Sequence, residues 1–228
     1  MAAADNARVR VDMHLHTSRS FDSLNDPPAL LDAAAARGVE ILCITDHNEI
    51  STALAMKQKY PDRIIVGEEV KTAEGVDVIG LFIHTVIPKS TPARRTCDLI
   101  HEQGGLVYVP HPFARGKGGG GRILEVIADQ IDAVEGFNAR LHDQALNRQA
   151  VEWAQTRGLP LGAGSDAHTL SEVGRGFAEV PRFADDAQSF RAALATATIH
   201  GEESSRLVHV ASTYAKLHKR IFGHTNAS

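Results

Sequence analysis

The chain has 228 residues, 43% of them apolar and 23% charged, with a formal net charge of −4. That suits a soluble globular protein with a real core, and it excludes the long basic tracts of a duplex nucleic-acid binder. Twelve histidines stand out in this composition, because imidazole is both the commonest metal ligand and a general acid or base.

Taken in chain order, short β-rich runs alternate with helical segments. "ARVRVDMH" reads as a strand and "DPPALLDAAAARG" as a helix, with proline in its first turn and glycine at its end. "VEILCIT" is a buried strand and "EISTALAMKQKY" a short helix. "DRIIVGEEV" and "VDVIGLFI" are strands joined by the turn-like "KTAEG", a local hairpin. "TPARRTCDLIHEQGG" is a helix, "LVYVPHP" a strand, "RILEVIADQ" a helix, "IDAVEGFN" a strand, "DQALNRQAVEWAQTRG" a helix and "LPLGAGSDAH" a strand. "FAEVP" reads as one more short strand, and "DDAQSFRAALATA" and "TYAKLHKRIFG" as closing helices.

This alternation predicts a mostly parallel sheet with crossover helices, either open or closed into a barrel. No linker interrupts it, so residues 1–228 read as one domain, with helices from about residue 185 closing the barrel. Neither a signal peptide nor an apolar run of about 18 residues is visible. Cys43 and Cys97 do not read as a disulfide framework, so a reducing cytoplasm is the expected compartment.

In parallel α/β folds, functional groups gather at the carboxyl ends of the strands. The metal-capable residues fall there repeatedly: His14 and His16, Asp46 and His47, Glu68 and Glu69, His111, Asn138, then Asp166 and His168. Asp22 lies in the loop after the first strand. Residues two apart on a strand share a face, so His14 with His16, and Asp166 with His168, can point together into a barrel mouth.

The pieces "HLHTSRSFD", "ITDHN", "GEEV", "VPHPF", "EGFNAR" and "GSDAH", in this order between Asp12 and His168, resemble the PHP (polymerase and histidinol phosphatase) family. The resemblance implies an α/β fold, a distorted (β/α)7 TIM-like barrel. It also implies two or three divalent ions (Mn, Zn or Fe) and phosphoester hydrolysis by a metal-bound hydroxide. Carried over by position, one metal would use His14, His16, Glu69 and Asp166. A second would share Glu69 and add His111 and Asn138, and a third would use Asp22, His47 and His168. Glu69, Asp166 and His168 form the expected catalytic set, with His168 or a water as the leaving-group acid. Glu68 reads as a solvated or outer charge. Asp46 reads as an acceptor orienting an imidazole or as a polar strand cap.

A phosphate substrate needs cations on its oxygens. Arg140 has the best placement, and its loss is expected to impair substrate use while sparing metal content. Arg115 and Lys117 in "HPFARGKGGGG" follow His111, and Arg175 in "EVGRG" follows the last motif. The expected partner is a small phosphorylated molecule, a sugar, amino-alcohol or nucleotide monoester, rather than duplex nucleic acid or membrane. Cyclic phosphodiesters and short oligonucleotides are the alternative substrates, and a non-catalytic binding module is a further one.

Overall fold

A computed structural model describes residues 8–114, 121–205 and 208–222, except the side chains of Arg122 and His209. The strands are β1 (Arg8–Leu15), β2 (Ile41–Ile44), β3 (Ile64–Lys71), β4 (Asp77–Leu81), β5 (Leu106–Val109), β6 (Ala133–Asn138), β7 (Leu161–Gly164), β8 (Gly176–Pro181) and β9 (Thr198–Gly201). The helices are α1 (Pro27–Ala36), α2 (Ser51–Lys59), α3 (Ala93–Glu102), α4 (Gly121–Ile127), α5 (Gln144–Gln155), α6 (Ala187–Leu194) and α7 (Val208–Phe222). None of them is long and apolar enough to cross a membrane.

All strands belong to one sheet in the order β7-β6-β5-β4-β3-β2-β1-β8-β9. The first seven run around it in chain order and nearly close into a barrel. β8 pairs antiparallel with the Arg8–Val11 half of β1, so β7 meets β1 only beyond it. There Asp166 N–H donates to the His14 carbonyl at 2.7 Å, and His16 N–H donates to the Ala167 carbonyl at 3.0 Å. This seam joins the two strand ends richest in candidate ligands.

The sheet is less parallel than the alternation predicts. The turn after β3 is only a few residues long, with Gly75 at φ 83°, and so short a link can only reverse the chain. β4 therefore runs antiparallel to both β3 and β5. β9, which the sequence reading lacks, adds antiparallel to β8 at the sheet's edge.

Apolar side chains form two layers. Val9, Val11, Met13, Cys43, Ile65, Ile79 and Tyr108 fill the barrel, plugged by Phe190 of α6. Leu15, Leu30, Leu42, Ile44, Ile100 and Val134 pack the sheet against the outer helices. The switch from Met13 inside to Leu15 outside breaks the two-residue period of a strand. Its cause is one extra residue in β1 between Asp12 and Leu15, opposite β2. Such a bulge re-aims the following side chains, and here it turns His14 and His16 into the mouth. β6 has the same device between Glu135 and Phe137.

Candidate metal centre

Five imidazoles and three carboxylates converge at the mouth. Nε2 of His14 and Nε2 of His16 lie 3.2 Å apart. Glu69 Oε2 lies 3.5 Å from His14 Nε2, 3.4 Å from His16 Nε2 and 3.0 Å from His47 Nδ1. Its other oxygen, Oε1, lies 3.2 Å from His111 Nε2. Asp166 Oδ1 is 3.4 Å from His16 Nε2 and 3.8 Å from His14 Nε2. Asp22 Oδ1 faces His168 Nε2 at 3.2 Å and His47 Nε2 at 3.6 Å.

Metal bonds of roughly 2.0–2.2 Å in tetrahedral array set neighbouring ligand atoms about 3.3–3.6 Å apart. The spacing here matches. Among the described residues three candidate ligand groups result: His14, His16 and Asp166; His14, Glu69 and His111; His16, His47 and His168. Glu69, with one oxygen toward each side, is placed to bridge.

The charge balance also fits a cation. Asp22 Oδ1 and Glu69 Oε2 are buried without a well-formed hydrogen bond among the described residues, a costly state unless something cationic satisfies them. Burial alone would push Glu69 up, yet His47 and His14 hold it well below the usual carboxylate range. Burial likewise opposes a proton on His14, but Glu135, Asp166 and Glu69 outweigh it and raise that imidazole well above its ordinary value. His16 goes the other way, pushed down to about 3 by burial and by His168 and His47. It is therefore a neutral imidazole ready to donate its lone pair. Imidazole and carboxylate together suit Zn²⁺, Mn²⁺ or Fe²⁺.

Residues 144–199 match the family model PHP_C, described as PHP-associated. The protein MJ1587 of Methanocaldococcus jannaschii is 34% identical over 157 residues, covering 63% of this chain and 90% of its own. PsfC from Pseudomonas syringae superposes with a TM-score of 0.67 at 21% identity, covering 92% of this chain and 98% of that one. A two-domain Bacteroides vulgatus protein, which contains a predicted PHP-like metal-dependent phosphoesterase, also superposes at 0.67. Its identity is 16%, over 92% of this chain and 70% of that one. The chain belongs to the PHP family.

What holds the candidate ligands of this PHP protein is a layer of buried polar groups. Glu135, fully buried, sets Oε1 3.1 Å from His14 Nδ1, and its Oε2 accepts from the His111 backbone N–H at 2.7 Å. His16 Nδ1 lies 3.1 Å from Ser20 Oγ, which donates to Asp46 Oδ1 at 2.6 Å. His168 Nδ1 lies 2.7 Å from the Asp166 carbonyl. Each contact occupies Nδ1 and leaves Nε2 for the cluster, as metal-binding imidazoles require. Asp46 thus orients His16 through Ser20 and also receives Thr17. His111 at φ 28° and Asp166 at φ 52° hold left-handed backbone, strain of the kind found at functional sites. Gly164 on β7 admits His14, since a Cβ there would collide with the His14 Cβ.

Several expected residues stand elsewhere. The Asn138 oxygen does not face the cluster: it accepts from the Arg140 backbone N–H at 2.9 Å. Its amide nitrogen donates to Glu135 at 2.9 Å and reaches Asp166 at 3.4 Å. Asn138 is therefore placed to orient two carboxylates. Glu68 is not solvated; it is buried, accepts from Ile87 N–H at 2.8 Å, and burial pushes it up to about 7. Arg140 lines the cleft above the cluster but is buried, its Nε 3.1 Å from Glu172 and its Nη2 donating to Ser212 at 2.8 Å. Arg175 is not among the cleft-lining residues; its guanidinium bonds the Ser171 and Glu203 carbonyls. Arg115 and Lys117 lie outside the described residues.

Sequence reasoning missed Glu135, Glu172, Ser20 and Lys216. A charge inside the apolar run "IDAVEGFN" was the available signal for Glu135. Glu135→Gln is expected to weaken metal binding about 10- to 100-fold, the usual cost of losing an outer partner, with the fold intact. Titration of chelator-stripped protein with Mn²⁺, beside circular dichroism, checks it; unchanged affinity would remove Glu135 from this role.

Proposed function

We propose that this PHP protein is a metal-dependent phosphoesterase acting on a small phosphorylated molecule, with a sugar, amino-alcohol or nucleotide monoester as the preferred class. The observation that carries this reading is the convergence on Glu69 of imidazole nitrogens at ligand spacing, at the base of a cleft of about 410 Å³. That volume lies in the usual range for small-molecule sites.

Glu69, Asp166, Asp22 and the five histidines would hold two or three divalent ions. Such ions supply charge neutralisation on phosphate oxygens and water activation near neutral pH. The chain's own part is to fix the ligands and to draw in the substrate. Lys71, Lys89, Lys216 and Arg140 line the cleft beside the carboxylates, with Lys71 3.1 Å from Asp77 and Lys216 3.6 Å from Asp22, and these cations are the groups that phosphate oxygens would meet.

One observation favours the second reading, a cyclic phosphodiester or short oligonucleotide. Phe21 is 49% exposed at the lip, 5.0 Å from the His47 ring, with Lys216 Nζ 5.2 Å from its own centroid. An exposed ring there offers a base a stacking surface.

A panel of sugar phosphates, nucleotides, cyclic nucleotides and short oligonucleotides, assayed with Mn²⁺, Zn²⁺ and Fe²⁺ separately, tests the proposal. Turnover of monoesters is expected. Turnover of diesters or oligonucleotides alone would replace the first reading by the second. Silence on every phosphate ester, with hydrolysis of amides or lactones, would overturn both.

A further inference from the structure

The β3–β4 hairpin carries three charged side chains on one face. Glu69 and Lys71 are two apart on β3 and so point the same way. Asp77 stands directly across the ladder from Lys71, while Glu69 stands across from Ile79. Cross-strand partners share a face, and all three side chains line the cleft. Glu68, between them, turns to the other face and bonds Ile87.

Asp77 is thus set two residue pairs along the ladder from the candidate bridging carboxylate and on the neighbouring strand, a rise of roughly 7 Å along the strand direction alone. It belongs to none of the ligand groups. A carboxylate at that remove is too far to share a metal with His14 and His16, but well placed beside whatever group projects from a phosphate held above them. Its Oδ2 accepts from Lys71 Nζ at 3.1 Å. Oδ1 has no hydrogen-bond partner among the described residues and is not sealed from the cleft.

We propose that Asp77 is the acid that protonates the leaving oxygen of the phosphate ester, an assignment that rests on the phosphoesterase reading above. Water oxygen forms a bond to phosphorus as the bond from phosphorus to the ester oxygen breaks. The bonding pair stays on that ester oxygen, which takes the proton from the Asp77 carboxyl and leaves as an alcohol. The proton released by the attacking water returns to the Asp77 carboxylate through solvent. The sum is ester plus water giving alcohol plus inorganic phosphate.

The groups around Asp77 support both of its protonation states. Burial raises it to about 6 and Glu69 adds to the rise, while His111 and Lys71 oppose it; His47 also feels its charge. An acid in this range works near neutral pH. Lys71 acts as a positioning residue, holding Oδ2 so that Oδ1 faces the cleft.

The test is leaving-group dependence. A general acid matters for an alkoxide leaving group and much less for a stable phenolate such as p-nitrophenolate. Wild-type protein loaded with Mn²⁺ is expected to show a shallow dependence of kcat/KM on leaving-group acidity across aryl and alkyl phosphates. Asp77→Asn should lose about 100-fold or more on alkyl phosphates, at least tenfold more than on p-nitrophenyl phosphate, with metal content unchanged. Equal losses on both classes would overturn the assignment. So would a steep dependence in the wild type, a result that needs no variant to fold. If the wild type hydrolyses no phosphate ester, the phosphoesterase reading itself fails; if it does and Asp77→Asn behaves like it, only this assignment fails.

Discussion

Glu69→Gln is expected to strip the protein of bound metal and to lower phosphate release by more than about a hundredfold, beyond the cost of losing an outer partner. The side chain is central by position: one oxygen faces His14, His16 and His47, and the other faces His111. Glutamine keeps the volume but removes the charge and replaces one acceptor with an N–H donor. Two or three divalent cations would then share less negative charge, and the donor would point at an ion or an imidazole. Metal analysis of the purified variant after Mn²⁺ loading checks the first part, and phosphate release checks the second. Metal content like the wild type's would show that Glu69 is not a ligand.

Arg140→Met carries the second large effect, and it falls on stability. The Arg140 and Glu172 side chains are 3% and 0% exposed, with Nε and Oε1 3.1 Å apart. Removing one partner of a buried pair leaves an uncompensated charge and costs about 3–5 kcal/mol. The damage also reaches the site, because Glu172 Oε2 accepts from the backbone N–H groups of His168 and Thr169 at 3.1 and 2.9 Å. Ser212 on α7 loses its donor as well. The sequence reading expected this arginine to serve the substrate alone; its burial adds a structural duty. Urea unfolding measures the effect, and a loss below about 1 kcal/mol would show that the pair is not sealed from water.

The contrast between Glu69 and Arg140 marks what could be read from sequence. Glu69, His14, His16, His111 and Asp166 stood at strand ends in recognisable pieces, and the fold brings these five side chains together at the mouth. The helix over "DPPALLDAAAARG" and the β3–β4 hairpin were legible from proline, glycine and apolar spacing, because those signals act within a few residues. The bulges in β1 and β6 were not. An extra residue in a strand is decided by its neighbours in the sheet, and it sets whether His14 faces the mouth or the helices. The alternation rule placed His14 and His16 on one face without fixing which one.

Glu135 and Glu172 were missed for a related reason. Neither sits in a motif, and each works by contact with residues remote in sequence. His14 lies 121 positions from Glu135 along the chain. Asn138 was misleading because its position in the motif suggested a ligand, whereas the orientation of its amide depends on Glu135 and the Arg140 backbone. β9, mostly exposed at the sheet's edge, has too short and too polar a sequence to signal a strand alone.

The most direct measurement is phosphate release by chelator-stripped protein as Mn²⁺ is added back. No release is expected without metal, and a saturable rise is expected on titration, with Glu69→Gln inactive at every concentration. Release that proceeds equally with and without metal, or that survives in Glu69→Gln, would contradict the metal-dependent reading.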